Sequence, residues 1–248
     1  QEFEISNIIP GEDNSQKKKA SLRGSSDKSN TKSKPKIMKY LWVIIVGIIL
    51  LIIFARGCGG GSGFTKNPVD DIIKEMKDVP TFTILLHDMN VEGSISKTYK
   101  HQYRVLTQTD SVPEETITPW YEVKRDFFEK HINHMGMEIA SKKDGKVSKS
   151  VAPPGYSNYV GNSRYGRWRN RSDGSSFWEF YGKYAMMSSM FNMMAMPVRR
   201  SYYNDYYGNY YGTSRTYYGP RTGSGSRMYG TGSAYTRTTN PRSTWSSK

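Results

Sequence analysis

The chain has 248 residues, with 36 Lys plus Arg against 22 Asp plus Glu and a formal net charge of +14. Only 36% of it is hydrophobic, and Gly, Tyr, Ser and Arg crowd the C-terminal stretch, so the part able to bury a core is much shorter than the chain. A single cysteine excludes an internal disulfide framework, and the positive charge points to an anionic partner such as phospholipid, a cell-wall polymer or nucleic acid.

Residues 1–36 show no sustained apolar pattern, and nine basic residues from Lys17 to Lys39 face one acid, Asp27. Such an arm buries too little apolar surface to offset its chain entropy, so disorder is expected. A charge-free run, YLWVIIVGIILLIIFA, occupies residues 40–55. Extended by Ile37, Met38 and Lys39, it approaches the roughly 30 Å of a hydrocarbon core, so residues 37–57 read as a transmembrane anchor or lipoprotein-type signal. Tyr40 and Trp42 suit an interfacial aromatic belt. Nine basic residues precede the span and only Arg56 and Lys66 follow it closely. The positive-inside rule therefore puts the N-terminus in the cytoplasm and the C-terminal part outside the inner membrane.

Cys58 carries two readings. From Met38 the segment MKYLWVIIVGIILLIIFARGC has a short basic start, an apolar stretch and a small residue before the cysteine, and it resembles a bacterial lipoprotein signal. That resemblance implies lipidation of Cys58. Arg56 and the long basic arm upstream depart from the pattern and favour an uncleaved signal anchor. Residues 58–65, rich in Gly and Ser, form a tether in either case.

Residues 66–152 are expected to form a small α+β domain. Asn67 as N-cap, Pro68 at the first helical position, acids Asp70 and Asp71 and apolar Val69, Ile72, Ile73 and Met76 predict a helix that Pro80 stops. TFTILLHDMNVEG predicts a largely buried strand, and SISKTYKHQYRVLTQT an alternating one, joined by a hairpin near Glu92 to Ser94. TPWYEVKRDFFEKHINHMG starts extended at Pro119 and turns helical from Lys124 to Gly136; Asp144-Gly145 then marks a tight hairpin.

The residues that first suggest chemistry in this domain also have plainer readings. His131 and His134 share a helical face at metal-ligand spacing, yet no third ligand accompanies them, so they read as surface histidines. Glu114 and Glu115 read as solvated carboxylates in a Pro-containing loop. Nothing supplies a nucleophile with an oriented base, and the expectation is a protein that is not an enzyme and carries no cofactor or metal.

In the loop 153–176, Arg164, Arg167, Arg169 and Arg171 alternate with Tyr165 and Trp168; the plain reading is a solvated loop that packs its aromatics onto the domain, the functional one an anionic envelope polymer as partner, and the orientation makes nucleic acid the weaker partner. Residues 177–197 predict a Met- and aromatic-rich helix whose Met186, Met187, Met190, Phe191, Met193 and Met194 would bind a protein partner or a second copy, with core of the preceding domain and a second membrane span as the alternatives. Residues 198–248, with ten tyrosines between Tyr202 and Tyr235, are expected to be a disordered tail. The layout resembles that of bacterial envelope proteins. It implies a non-enzymatic, membrane-anchored binding or scaffold subunit of a membrane complex. An accessory protein or hydrolase of an envelope polymer, and a nucleic-acid binder of inverted topology, are the alternatives.

Overall fold

The computed structural model describes Gly47, residues 67–108 and residues 112–246. The basic arm, the anchor apart from Gly47, the tether and Cys58 lie outside the described residues. Among the described residues no helix is long and apolar enough to cross a membrane. They form an α+β domain with an antiparallel sheet and few helices.

Helix α1, Pro68–Glu75, starts where the sequence places it: the Asn67 side chain accepts from the Asp70 amide at 3.3 Å, and Pro68 opens the first turn. Strands β1, Thr81–Glu92, and β2, Thr98–Gln108, form the long central hairpin. Gly93 holds its turn at φ +87°, with the Ser96 carbonyl so close that a Cβ would fall 2.0 Å from it. The short strands β3, Glu114–Ile117, and β4, Tyr121–Val123, both pair with β2. Glu114 and Glu115 thus lie in a strand and not in a free loop, and Glu115 pairs with Arg104 at 3.5 Å. Helix α2 covers only Arg125–Lys130; turns carry the chain on to Gly136 at φ +77°. Strands β5, Glu138–Lys143, and β6, Lys146–Ser148, are joined by the expected Asp144-Gly145 turn, with φ of 48° and 78°. The sheet order is β3-β2-β1-β5-β6.

Both faces of this sheet are apolar. Phe82, Ile84 and Leu86 of β1 and Tyr103 and Val105 of β2 pack against Val69, Ile72 and Met76 and against Phe128 of α2. Leu85 and Leu106 point the other way, into a cluster built from the C-terminal half of the chain. The unbroken burial from Phe82 to Leu86, Thr83 included, is the mark of a strand covered on both sides.

What covers the second face corrects three expectations. The loop 153–176 contains strand β7, Gly166–Asn170, and the predicted Met-rich helix begins as strand β8, Ser176–Phe180. A 3-10 turn, Gly182–Tyr184, and the five-residue helix α3, Met186–Met190, are all that remains of that helix. The expected disordered tail holds helices α4, Arg200–Asn209, and α5, Ala234–Thr239, and its Tyr206, Tyr217, Tyr229 and Tyr235 are buried. Aliphatic content misleads here because rings supply the core. Tyr206 packs its ring against those of Tyr156, Tyr207 and Tyr217 at 5.5, 5.0 and 5.8 Å.

The chain then returns to the first layer. Tyr235 accepts from the Arg104 guanidinium at 3.2 Å, Asn240 donates to the His87 carbonyl at 3.3 Å, and Trp245 meets Phe128 edge-on at 5.2 Å. Two buried polar side chains fasten the layers. Asn158 donates to the Phe82 carbonyl and the Thr83 hydroxyl, both at 2.9 Å; Glu138 accepts from the amides of Gly155 at 2.6 Å and Ser157 at 3.3 Å.

Tyr206→Ala should therefore cost roughly 3 kcal/mol or more of unfolding free energy in urea titrations, as a buried ring in a tight core does. Met194→Ser, at a residue 81% exposed, should stay within about 0.5 kcal/mol. Equal effects would show that the tail does not share the cooperative core.

Candidate functional site

Strands β7 and β8 form a two-stranded ribbon whose alternation sorts its side chains. Trp168 faces Trp178 on the side turned toward the aromatic core, with ring centroids 5.2 Å apart, and Phe180 lies beside Trp178. Arg167 opposes Glu179 and Arg169 opposes Phe177 on the other side, which is open to solvent. The turn is set by Asp173, which accepts from the Ser175 amide at 2.9 Å, and by Gly174 at φ +78°.

One carboxylate serves two of these arginines. Glu179 accepts from Arg169 at 2.7 Å and from Arg167 at 3.1 Å, and those hydrogen bonds hold its carboxyl below the usual carboxylate range. Arg171 lies over the Phe177 ring at 4.8 Å. Arg199 extends the same face, because it bridges Phe177 from the far side of β8. Among the described residues the acids beside these four guanidinium groups are Glu179 and Asp173, which leaves the exposed face cationic. Arg164 stands apart from the ribbon, over Tyr165 at 5.6 Å.

This concentration of charge is regional. Residues 67–152 carry 12 Lys plus Arg against 14 Asp plus Glu, whereas residues 153–246 carry 12 against 3. The sheet is near neutral; the covering layer holds the excess. No family model matches the chain, and neither a curated protein nor a solved structure does.

The predicted methionine surface does not assemble. Met187, Phe191 and Met193 are buried in the aromatic core, and Met190 packs against it. Only Met186, half exposed, and Met194 face solvent, because strand β8 and the short α3 turn the segment inward. Its apolar area completes the cover of the sheet, so those residues serve packing.

The histidines also differ from expectation. His131 is buried, and its Nδ1 lies 3.3 Å from that of His134. A third histidine, His101 of β2, is fully buried, with its ring 6.3 Å from that of His131 and its Nδ1 3.1 Å from the Tyr103 hydroxyl. Sequence spacing could not reveal His101, since it sits thirty residues upstream on another element. Burial first, then neighbouring positive charge, lowers the pKa of His101 and His131 to about 3 and that of His134 to about 4. Among the described residues no group of three or more His, Cys, Asp or Glu could hold a metal.

The cluster lies under the tail. Tyr218 stacks on His134 at 6.2 Å, and Thr231 donates from its amide to the Asn133 carbonyl at 3.1 Å and from its hydroxyl to the Ile132 carbonyl at 2.6 Å. The three imidazoles are neutral in the folded state, while in the unfolded chain they bind protons below about pH 6.5. Stability should therefore be unaffected by them above that pH and fall as pH drops toward 4, by roughly 2 kcal/mol per histidine at pH 4.5. The double variant His131→Gln/His134→Gln should show a flatter fall in thermal midpoint between pH 7 and 4.5 than the parent. An identical fall would remove the pair as its cause.

Proposed function

We propose that the chain is a non-enzymatic, membrane-anchored binding subunit of the bacterial envelope whose extracytoplasmic domain holds an anionic polymer on the β7–β8 ribbon. The observation that carries this reading is the solvent-facing set Arg167, Arg169, Arg171 and Arg199, opposed only by Glu179 and Asp173. Guanidinium groups on a rigid ribbon match phosphate, sulfate or carboxylate groups in a flexible chain, and exposed cations bind such chains through counterion release. The apolar run over residues 40–55 and the basic residues before it support the anchor and its orientation.

Two measurements test the two parts. Full-length protein in mild detergent should bind heparin with a steep dependence on salt, and Arg167→Ala/Arg169→Ala/Arg171→Ala should weaken binding and flatten the slope by roughly two to three counterions. An unchanged slope removes the ribbon from the function. In intact cells Cys58 should react with a membrane-impermeant maleimide or, if acylated, incorporate labelled palmitate. Reaction only after permeabilisation would reverse the topology and with it the envelope assignment.

A further inference from the structure

A cleft of about 300 Å³ opens between the turn at residues 157–163, Lys143 at the end of β5, and Tyr203 and Tyr207 on one face of α4. Its floor is held from behind. Asn158 is tied to the Phe82 carbonyl and the Thr83 hydroxyl, and Asn162 donates to the Asn158 carbonyl at 3.2 Å while accepting from the Arg164 amide at 3.1 Å. Gly161 stands at φ +76°, and a Cβ there would lie 2.3 Å from the Tyr203 hydroxyl. Only glycine allows both that backbone conformation and the hydroxyl resting on it. The Tyr203 ring is in turn packed by Tyr207, Trp168 and Tyr156 at 4.5, 5.3 and 5.8 Å. The hydroxyl is positioned before any ligand arrives.

The lining narrows the ligand class. Lys143, Ser157, Asn162, Ser163 and the two tyrosines contribute an ammonium, an amide and hydroxyls, and no carboxylate is among them. Asn162 and the Tyr207 hydroxyl, which donates to the Tyr156 carbonyl at 2.9 Å, are already paired within the protein, so recognition falls to Lys143, Ser163 and the Tyr203 hydroxyl, and a cation would face Lys143. A ligand with several hydroxyls and one negative charge satisfies the donors and the acceptors together, with the tyrosine rings forming a wall.

We infer that this cleft binds one sugar or polyol unit carrying a carboxylate or phosphate, with Lys143 on the anion and the Ser163 and Tyr203 hydroxyls on the polyol. The inference rests on the proposed polymer-binding function and names the unit that the polymer contains. The ribbon holds the chain by charge, and the cleft selects the monomer.

Calorimetry on the full chain in mild detergent, with glucuronate and glycerol phosphate as probes, tests it. At least one probe should bind about tenfold more tightly than glucose, glycerol or inorganic phosphate. Lys143→Ala and Tyr203→Phe should each weaken that binding about tenfold, the effect of losing one strong hydrogen bond, while heparin affinity stays within about twofold of the parent. Lys143 is exposed, so its variant keeps the test valid if Tyr203→Phe disturbs the fold. Failure of both probes, binding of inorganic phosphate as tight as that of glycerol phosphate, or unchanged affinity in both variants overturns the cleft while leaving the ribbon intact. Binding seen only with phosphatidylglycerol vesicles also overturns it, in favour of a lipid surface. Loss of heparin binding by the parent with monomer binding retained overturns the ribbon alone.

Discussion

A sheet that is apolar on both faces cannot stop at one covering layer. Strand β1 sends Phe82, Ile84 and Leu86 toward the helices and Leu85 toward the opposite side, and Leu106 of β2 joins Leu85 there. Leaving either face wet would forfeit roughly 1.5 to 3 kcal/mol for each large side chain, a sizeable share of what holds a domain together. The helices α1 and α2 cover one face. Most of the chain after Ala152 covers the other before the tail returns to the first layer at Trp245, and the tyrosine-rich segments, the ribbon and the methionine turn take their places under that requirement.

The second layer meets it with unusual material. Tyrosine rings bring large apolar area but also hydroxyls that need partners or solvent. Burial raises the pKa of Tyr156, Tyr159, Tyr206 and Tyr229, so these hydroxyls stay protonated. Glu138 is a fully buried carboxyl at the layer junction. Burial raises its pKa to about 7, against the hydrogen bonds from Ser157 and Gly155 that lower it. A carboxyl raised above its unfolded value contributes most below about pH 4.5 and loses that contribution as pH rises through 7. The histidine cluster acts in the opposite sense: it loses stability under the tail as pH falls below about 6.5, whereas Glu138 loses it at the sheet-to-turn junction as pH rises from about 4.5 to 7.

Placing the cationic excess in the covering layer has a consequence for recognition. Because the rings form the core, the arginines interleaved with them are pushed to the surface by strand alternation and by stacking on Phe177, Tyr165 and Trp168. The same pattern that makes the sequence look like low-complexity tail thus yields a rigid cationic face and, beside it, a polar cleft floored by Gly161.

The sequence by itself determined the local features: the Asn67-Pro68 helix start, the β1–β2 hairpin, the Asp144-Gly145 turn, the antiparallel α+β character of residues 66–152, and the exposure of alternating arginines. Each follows from caps, turn chemistry or period, which act over a few residues. Only the tertiary structure decided that Tyr206, Tyr217, Tyr229 and Tyr235 join the core, that Met187, Phe191 and Met193 are internal, and that His101 joins His131 and His134. Those outcomes depend on contacts between residues far apart in the chain. Ring-to-ring burial leaves no period in the sequence, and a tyrosine in a sticky tail is spelled the same as a tyrosine under a sheet.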